Sequence, residues 1–392
     1  MRRATILVGV VVLMSISGGS GGGTIAPFDP VVVVTSSSVL GSGGGDDWWG
    51  RASIKRRPSD SALVMIYRRG TAHDVNDGDL HIKFSNDHGA TWTAEDTKLG
   101  GGAVTGFPMN PPVSAGQDAG EPWLMVAPNG DLLIHMWRID YSVSMGGSYQ
   151  SRSTDGGATW SAPAVIDFVG ETDDTIIFST DDDFVYERVI YAGARIYSGG
   201  ADGTPSSMIL IKSPDNGATW TKVSTIMAAN EGSAGTGGQE VGLEYLGNST
   251  IIAMLRDNAH TNSYQRMSTD MGLTWGSLTT VTSTVGIAAR QRVYTRSHLL
   301  GVAGWWKDPL LFMVGFVHQT SGQSLDRRNA VWISPDRGAT WDGPHYIDTL
   351  DDDGGYGDLF YDFTNARWVV VSYKGTLAAA SLKQYNLTIT GL

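Results

Sequence analysis

The pattern Ser-x-Asp-x-Gly-x-Thr-Trp occurs five times in this chain and constrains the fold more than any other feature. It reads SNDHGATW at 85–92, STDGGATW at 153–160, SPDNGATW at 213–220, STDMGLTW at 268–275 and SPDRGATW at 334–341. A β-turn accounts for the residue types. The aspartate accepts backbone N–H groups across the turn, the glycine supplies a positive φ, and threonine and tryptophan start the next strand. Each copy follows a strand-like run such as LHIKF, SMILI or NAVWI. The copies recur about every 55 to 70 residues, room for roughly four strands with their loops. Five marked units and one unmarked C-terminal unit predict an all-β, six-bladed propeller of four-stranded antiparallel blades over 46–392. The early strand VVVVT is expected to close the ring by joining the last blade.

Composition agrees. With 51 Gly, 13 Trp, 14 Tyr and 41% hydrophobic residues, the chain suits many short strands joined by tight turns around a real core. The net charge of −12 argues against a general nucleic-acid binder, which needs a basic face. It leaves room for an anionic small ligand, because a few converging arginines make a positive pocket in an acidic protein. No cysteine means no disulfide and no thiolate chemistry. Residues 1–23, MRRATILVGVVVLMSISGGSGGG, have the layout of a secretory signal peptide or of an apolar anchor that is retained. Residues 24–45 read as a Gly/Ser-rich linker carrying one strand. The expected location is secreted or cell-surface, with a virion as the alternative. Membrane contact is expected only through the N-terminal segment.

The repeat resembles the Asp-box, or bacterial neuraminidase repeat, and the chain resembles the sialidase superfamily of six-bladed propellers. In that family the boxes lie at the outer rim, so their aspartates are turn residues and not catalysts. What the resemblance implies is a retaining exo-α-sialidase without a cofactor. Sialic acid carries a carboxylate on its anomeric carbon, so a neutral tyrosine replaces the usual carboxylate nucleophile. The phenol needs a neighbouring base, the substrate carboxylate needs guanidinium groups, and a separate acid must protonate the leaving oxygen.

Carried over by motif, GRASIKRRPSDSALVMIYRRG resembles the family's first-arginine hairpin. Arg51 is then the first arginine of the triad, with Arg56 as rival, and Arg69 ends the hairpin. Asp74, in the loop before the first box, takes the acid/base place, with Asp77 and Asp79 as competitors. QEVGLEYLGNSTIIAMLRDN implies Glu240 as the base that polarises tyrosine and Arg256 as the second arginine, Glu244 being the structural alternative. LDRRNAVWI offers Arg327 or Arg328 as the third. GGYGDLFYDF, followed by a turn and a closing strand, implies Tyr356 as the nucleophile, with Gly357 where serine is usual.

The chain departs from the family at two acids that help hold arginines. Lys374 replaces the closing-strand glutamate, and Tyr67 or Arg68 replaces the glutamate of the first hairpin. Other signals are read as structural. The DDD runs at 181–183 and 351–353 are expected to be solvated acidic turns, and the eight histidines show no metal-ligand spacing. Trp48, Trp49 and Trp123 suit either a sugar pocket or core packing. The partner expected is a sialylated glycan or another acidic sugar. The rival readings are a non-catalytic glycan-binding or virion/cell-surface structural propeller, and a hydrolase or lyase for another acidic sugar.

Overall fold

The computed structural model describes residues 28–42, 47–73, 75–109, 118–139, 147–170, 176–178, 183–197, 205–257, 262–281, 290–298, 310–318, 327–349 and 353–391. The expected N-terminal segment 1–23 and the candidate acid Asp74 lie outside them. Among the described residues the protein is strands and turns, with one short 3-10 turn at Ser233–Gly235. No helix among them is long and apolar enough to cross a membrane.

Strand β1 spans Val31–Gly41. The first hairpin unit follows as β2 (Trp48–Arg56), β3 (Leu63–Gly70) and β4 (Asp79–Ser85). A four-stranded antiparallel sheet comprises β5 (Asp118–Val126), β6 (Leu132–Ile139), β7 (Ser148–Ser153) and β8 (Ala164–Val165). The next holds the short β9 (Ile176–Phe178) and β10 (Phe184–Tyr186), both paired to β11 (Val189–Tyr197), then β12 (Ser206–Ser213) and β13 (Thr221–Met227). Two further four-stranded sheets are β14 (Gly238–Gly247), β15 (Thr250–Asp257), β16 (Ser263–Ser268) and β17 (Thr279–Thr280), then β18 (Arg290–His298), β19 (Leu310–His318), β20 (Arg327–Ser334) and β21 (Asp342–Tyr346). The last unit is β22 (Asp353–Asp362), β23 (Arg367–Gly375) and β24 (Ala380–Thr390).

Each middle strand is apolar on both faces because its sheet lies between two others. In β19, LLFMVGFVH, every side chain from Leu310 to Val317 is buried. The outermost strands β8 and β17 are exposed. β2 packs against both β5 and β22, β18 against both β14 and β22, and β14 against β11. These contacts run in series from β5 through β2, β22, β18 and β14 to β11, as the inner strands of a β-propeller do. Closure joins the two ends of the chain. β1 pairs antiparallel with β24 from Val31↔Thr390 to Gly41↔Leu382, as the VVVVT run predicts. A single parallel bridge, Trp48↔Ala380, connects β24 to β2.

All five repeat copies form one turn. In the first, Asp87 Oδ1 accepts the Thr91 N–H at 2.8 Å, Asp87 Oδ2 accepts the Thr91 hydroxyl, and Ser85 Oγ accepts the Gly89 N–H at 2.8 Å. The same set recurs around Asp155, Asp215, Asp270 and Asp336. Three of the repeat tryptophans reach beyond their own unit, Trp92 to the last unit and the other two to the preceding sheet. Trp92 Nε1 donates to Gln384, Trp275 Nε1 to Ser224 Oγ and Trp341 Nε1 to Gln265. The turn thus closes one sheet's hairpin and ties it to its neighbour.

Candidate active site

Five of the initial strands are interrupted by a register shift, and three of these interruptions carry a residue with positive φ. They are Arg51 (φ 55°) between Gly50 and Ser53, Glu121 (φ 48°) between Gly120 and Trp123, and Tyr356 (φ 39°) between Gly355 and Asp358. Such bulges bend the strand and re-aim one side chain. Shifts without positive φ flank Gln239, just before Glu240, and lie between Arg290 and Tyr294. Glycine is required beside the tyrosine. Gly355 has φ +143°, and a Cβ there would lie 2.5 Å from the Phe316 ring. At Gly357 a Cβ would stand 2.7 Å from the Val371 carbonyl oxygen, so this backbone leaves no room for the family's usual serine.

Tyr356 is 6% exposed. Its hydroxyl lies 3.3 Å from Glu240 Oε1, to which it donates, and accepts from Arg256 Nη1 at 3.3 Å. Arg256 Nη1 also donates to Glu240 Oε1 at 2.8 Å. The hairpin that brings Glu240 and Arg256 together turns at 247–250, and the two residues sit directly opposite in the β14–β15 ladder. Arg51 lies over the Tyr356 ring, its guanidinium carbon 5.4 Å from the centroid, and its Nη1 is 3.9 Å from Glu121 Oε1. The rival Arg56 sits in the hairpin turn, donating to the Ser61 carbonyl at 2.8 Å.

The two faces of β20 separate Arg327 from Arg328. Arg327 Nη1 donates to Asp353 Oδ1 at 2.7 Å, three residues before Tyr356, and its guanidinium carbon is 4.8 Å from the Phe316 ring centroid. Arg328 faces the other way, stacks 3.9 Å over Tyr346 and donates to the Asp348 carbonyl. Burial would lower the basicity of Arg256 and Arg327, but the Glu240 carboxylate beside the first and Tyr373 and Asp353 beside the second raise it above the usual value.

Asp353 corrects the reading of the DDD run as a solvated turn. It has no exposed surface and accepts from His73 Nδ1 (2.8 Å) as well as from Arg327. Burial pushes its carboxyl up, but the His73 hydrogen bond and the charges of His73 and Arg327 outweigh that and hold it below the usual carboxylate range. Asp183, at the end of the other run, is half-buried and pairs with Lys55 at 2.7 Å. Three consecutive aspartates gave no sign of which one meets a cation from elsewhere in the chain.

Arg69 is placed in a different cluster, with Glu95 (3.0 Å), Asp47 (2.7 Å) and the Trp49 ring. That cluster also holds His81, Asp96 and Tyr67, whose hydroxyl donates to Glu95 at 2.6 Å. The ligand-type atoms of His81, Glu95 and Asp96 lie within 4.8 Å of one another, a grouping that sequence spacing did not suggest. Of the competitors for the acid, Asp77 accepts the Thr71 N–H at 3.1 Å and closes the base of the loop. Trp48, Trp49 and Trp123 are buried, so they pack as core, with Trp48 beneath Arg51 and His73. The two family departures find other work. Lys374 donates to the Arg327 carbonyl at 2.6 Å and lies 3.6 Å from Asp348. Arg68 makes a fully buried pair with Asp118 at 2.9 Å.

Sequence reasoning missed Glu121, Asp353 and His73. One signal was there to be read. In WWGRA, DAGEP, TGGQE and GGYGD a glycine stands just ahead of each inward-facing residue at the beginning of a sheet.

The described fold is a β-propeller that aligns with those of sialidases and of an arabinanase. Among solved structures, a protein of unknown function from Dyadobacter fermentans aligns at TM-score 0.63 and 16% identity, covering 91% of this chain and 99% of its own. The Hadza microbial sialidase Hz136 aligns at TM-score 0.63 and 16% identity over 86% of this chain and 65% of its own, so the chain spans just under two thirds of that sialidase. The Penicillium chrysogenum α-L-arabinanase complexed with arabinobiose aligns at TM-score 0.59 and 14% identity, over 91% and 98%. No family model and no curated protein matches the chain in sequence.

Proposed function

We propose that the protein is a retaining glycoside hydrolase on a six-bladed propeller, releasing terminal sialic acid from glycoconjugates through Tyr356. The observation that carries this reading is the Tyr356 hydroxyl shared between Glu240 and Arg256, with Arg51 over the ring. Arg51, Arg256 and Arg327 grip the substrate carboxylate. Glu240 takes the phenolic proton as the oxygen attacks the anomeric carbon, and Asp74 protonates the departing oxygen. Water then attacks the anomeric carbon, giving its proton to the Asp74 carboxylate, and Tyr356 departs as it recovers its own proton from Glu240. The six blades are the four intact sheets and the two units joined at Trp48↔Ala380.

A second reading rests on Glu121. Each of the three arginines already faces a protein carboxylate, Arg51 with Glu121, Arg256 with Glu240 and Arg327 with Asp353. A pocket so balanced also suits a neutral sugar, hydrolysed by a pair of carboxylates. The arabinanase alignment supports including an arabinofuranoside among the substrates tested.

Turnover of a fluorogenic α-sialoside and of an α-arabinofuranoside is to be compared for the wild type, Tyr356→Phe and Glu121→Gln. The expected outcome is sialoside hydrolysis that falls by at least about a thousandfold in Tyr356→Phe. Arabinofuranoside turnover that survives in Tyr356→Phe and collapses in Glu121→Gln establishes the second reading. Binding without turnover makes the protein a glycan-binding propeller.

A further inference from the structure

The loop between β3 and β4 is tied to the arginine side of the site through His73. Its Nδ1 lies 2.8 Å from Asp353 Oδ2, and Asp353 Oδ1 lies 2.7 Å from Arg327 Nη1. An ionised carboxylate only accepts, so His73 donates from Nδ1. Packing fixes the ring. It stands edge-on to Tyr356 (6.1 Å, 75°) and to Tyr373 (5.6 Å, 89°), and tilts against Trp48 at 4.8 Å. Tyr373 adds a hydroxyl 3.3 Å from Asp353 Oδ1 and is within 3.4 Å of Arg327.

The backbone of the same loop is held as tightly. The His73 N–H donates to the Leu377 carbonyl at 2.9 Å. The buried Arg68 guanidinium donates to the carbonyls of Ala72 (3.0 Å) and Val75 (3.1 Å), on either side of position 74. A buried guanidinium spent on two loop carbonyls, and a buried imidazole spent on a carboxylate that already holds another arginine, make a connected polar network. In such a network the members align one another.

We propose that His73 is a positioning residue: through Asp353 it aligns the Arg327 guanidinium, so that the arginine's hold on an anionic sugar depends on the His73–Asp353 hydrogen bond. The inference rests on the anionic-sugar reading above and adds to it a residue outside the triad. It also makes loop and arginine one unit, so the segment expected to carry the acid and the group expected to carry the substrate carboxylate are set together.

The test uses two substitutions. His73→Ala removes the donor, whereas His73→Asn keeps an N–H near the Nδ1 position. KM and kcat for the fluorogenic α-sialoside, with N-acetylneuraminic acid binding by calorimetry, are expected to show KM and Kd raised about tenfold or more in His73→Ala. The change in kcat is expected to be smaller, and His73→Asn is expected to stay within about threefold of wild type. Equal impairment in both variants, or none in His73→Ala, overturns the proposal. If the wild type neither binds nor hydrolyses the sialoside, the substrate reading fails, and the coupling is read without ligand. The imidazole 15N resonances of His73, assigned by their absence in His73→Asn, are then expected to move in Arg327→Ala and not in Arg328→Ala. Resonances unmoved by both substitutions refute the coupling.

Discussion

Arg327 and Arg328 are neighbours in the chain, yet they work on opposite faces of one strand. Period-two alternation made it certain that only one of them faces the centre, but nothing local said which. The answer came from Asp353 and Phe316, which meet Arg327, and from Tyr346, which receives Arg328. Arg327→Ala is therefore expected to raise KM for an anionic sugar by about 10- to 100-fold, the scale of one charge-assisted hydrogen bond. Arg328→Ala is expected to leave KM within about twofold, and steady-state kinetics on the two variants checks both. That Tyr356, Glu240, Arg51 and Arg256 come together was legible because their motifs keep their order and spacing. His73 and Asp353 were not, because their meaning lies in a pairing across 280 residues.

At the scale of the element, the repeat turn was fully legible, since its hydrogen bonds join residues within one short stretch. Its aspartates also make the fold sensitive to acid. Burial raises Asp87, Asp155, Asp215 and Asp336, but the bonds from their threonines outweigh it and hold them below the usual range. At Asp270 the Thr274 bonds lead, and the carboxyl is held at about 2. A folded value below the unfolded one, near about 3.9, contributes stability above that pH, and the contribution is lost as pH falls through the folded value. Unfolding free energy is expected to drop between about pH 4 and pH 2. Asp155→Asn should make that acid limb shallower in denaturant titrations across the range. The bulged initial strands were the illegible elements. Alternating burial is readable in a sequence, but a residue held at positive φ just after a glycine reads as an ordinary turn until its neighbours are in place.

For the whole molecule, the repeat count and the apolar strand near the N-terminus implied a ring fastened by its own ends, and the β1–β24 ladder is such a fastening. Most of β1 is exposed, including Val31, Val33 and Val39, so it covers an edge more than it fills a core. Removing residues 1–42 is expected to lower the melting temperature by several degrees and to promote self-association through the bared edge of β24. Calorimetry and light scattering would report the two effects. Sequence could not place the sheets around their centre, because the contacts between these strands join separate sheets, and β2 meets β22 across nearly the whole described chain.

Arg51 belongs to β2 and Tyr356 to β22, with four other sheets between them in sequence, and the guanidinium of one lies over the ring of the other. During synthesis, therefore, most of the polypeptide has already left the ribosome before that ring can be placed. The early sheets can fold as they emerge, but the pocket waits for Tyr356. A chain cut short of Tyr356 is expected to be inert toward sugars, so whatever activity the protein has doubles as a report that the last strands have docked.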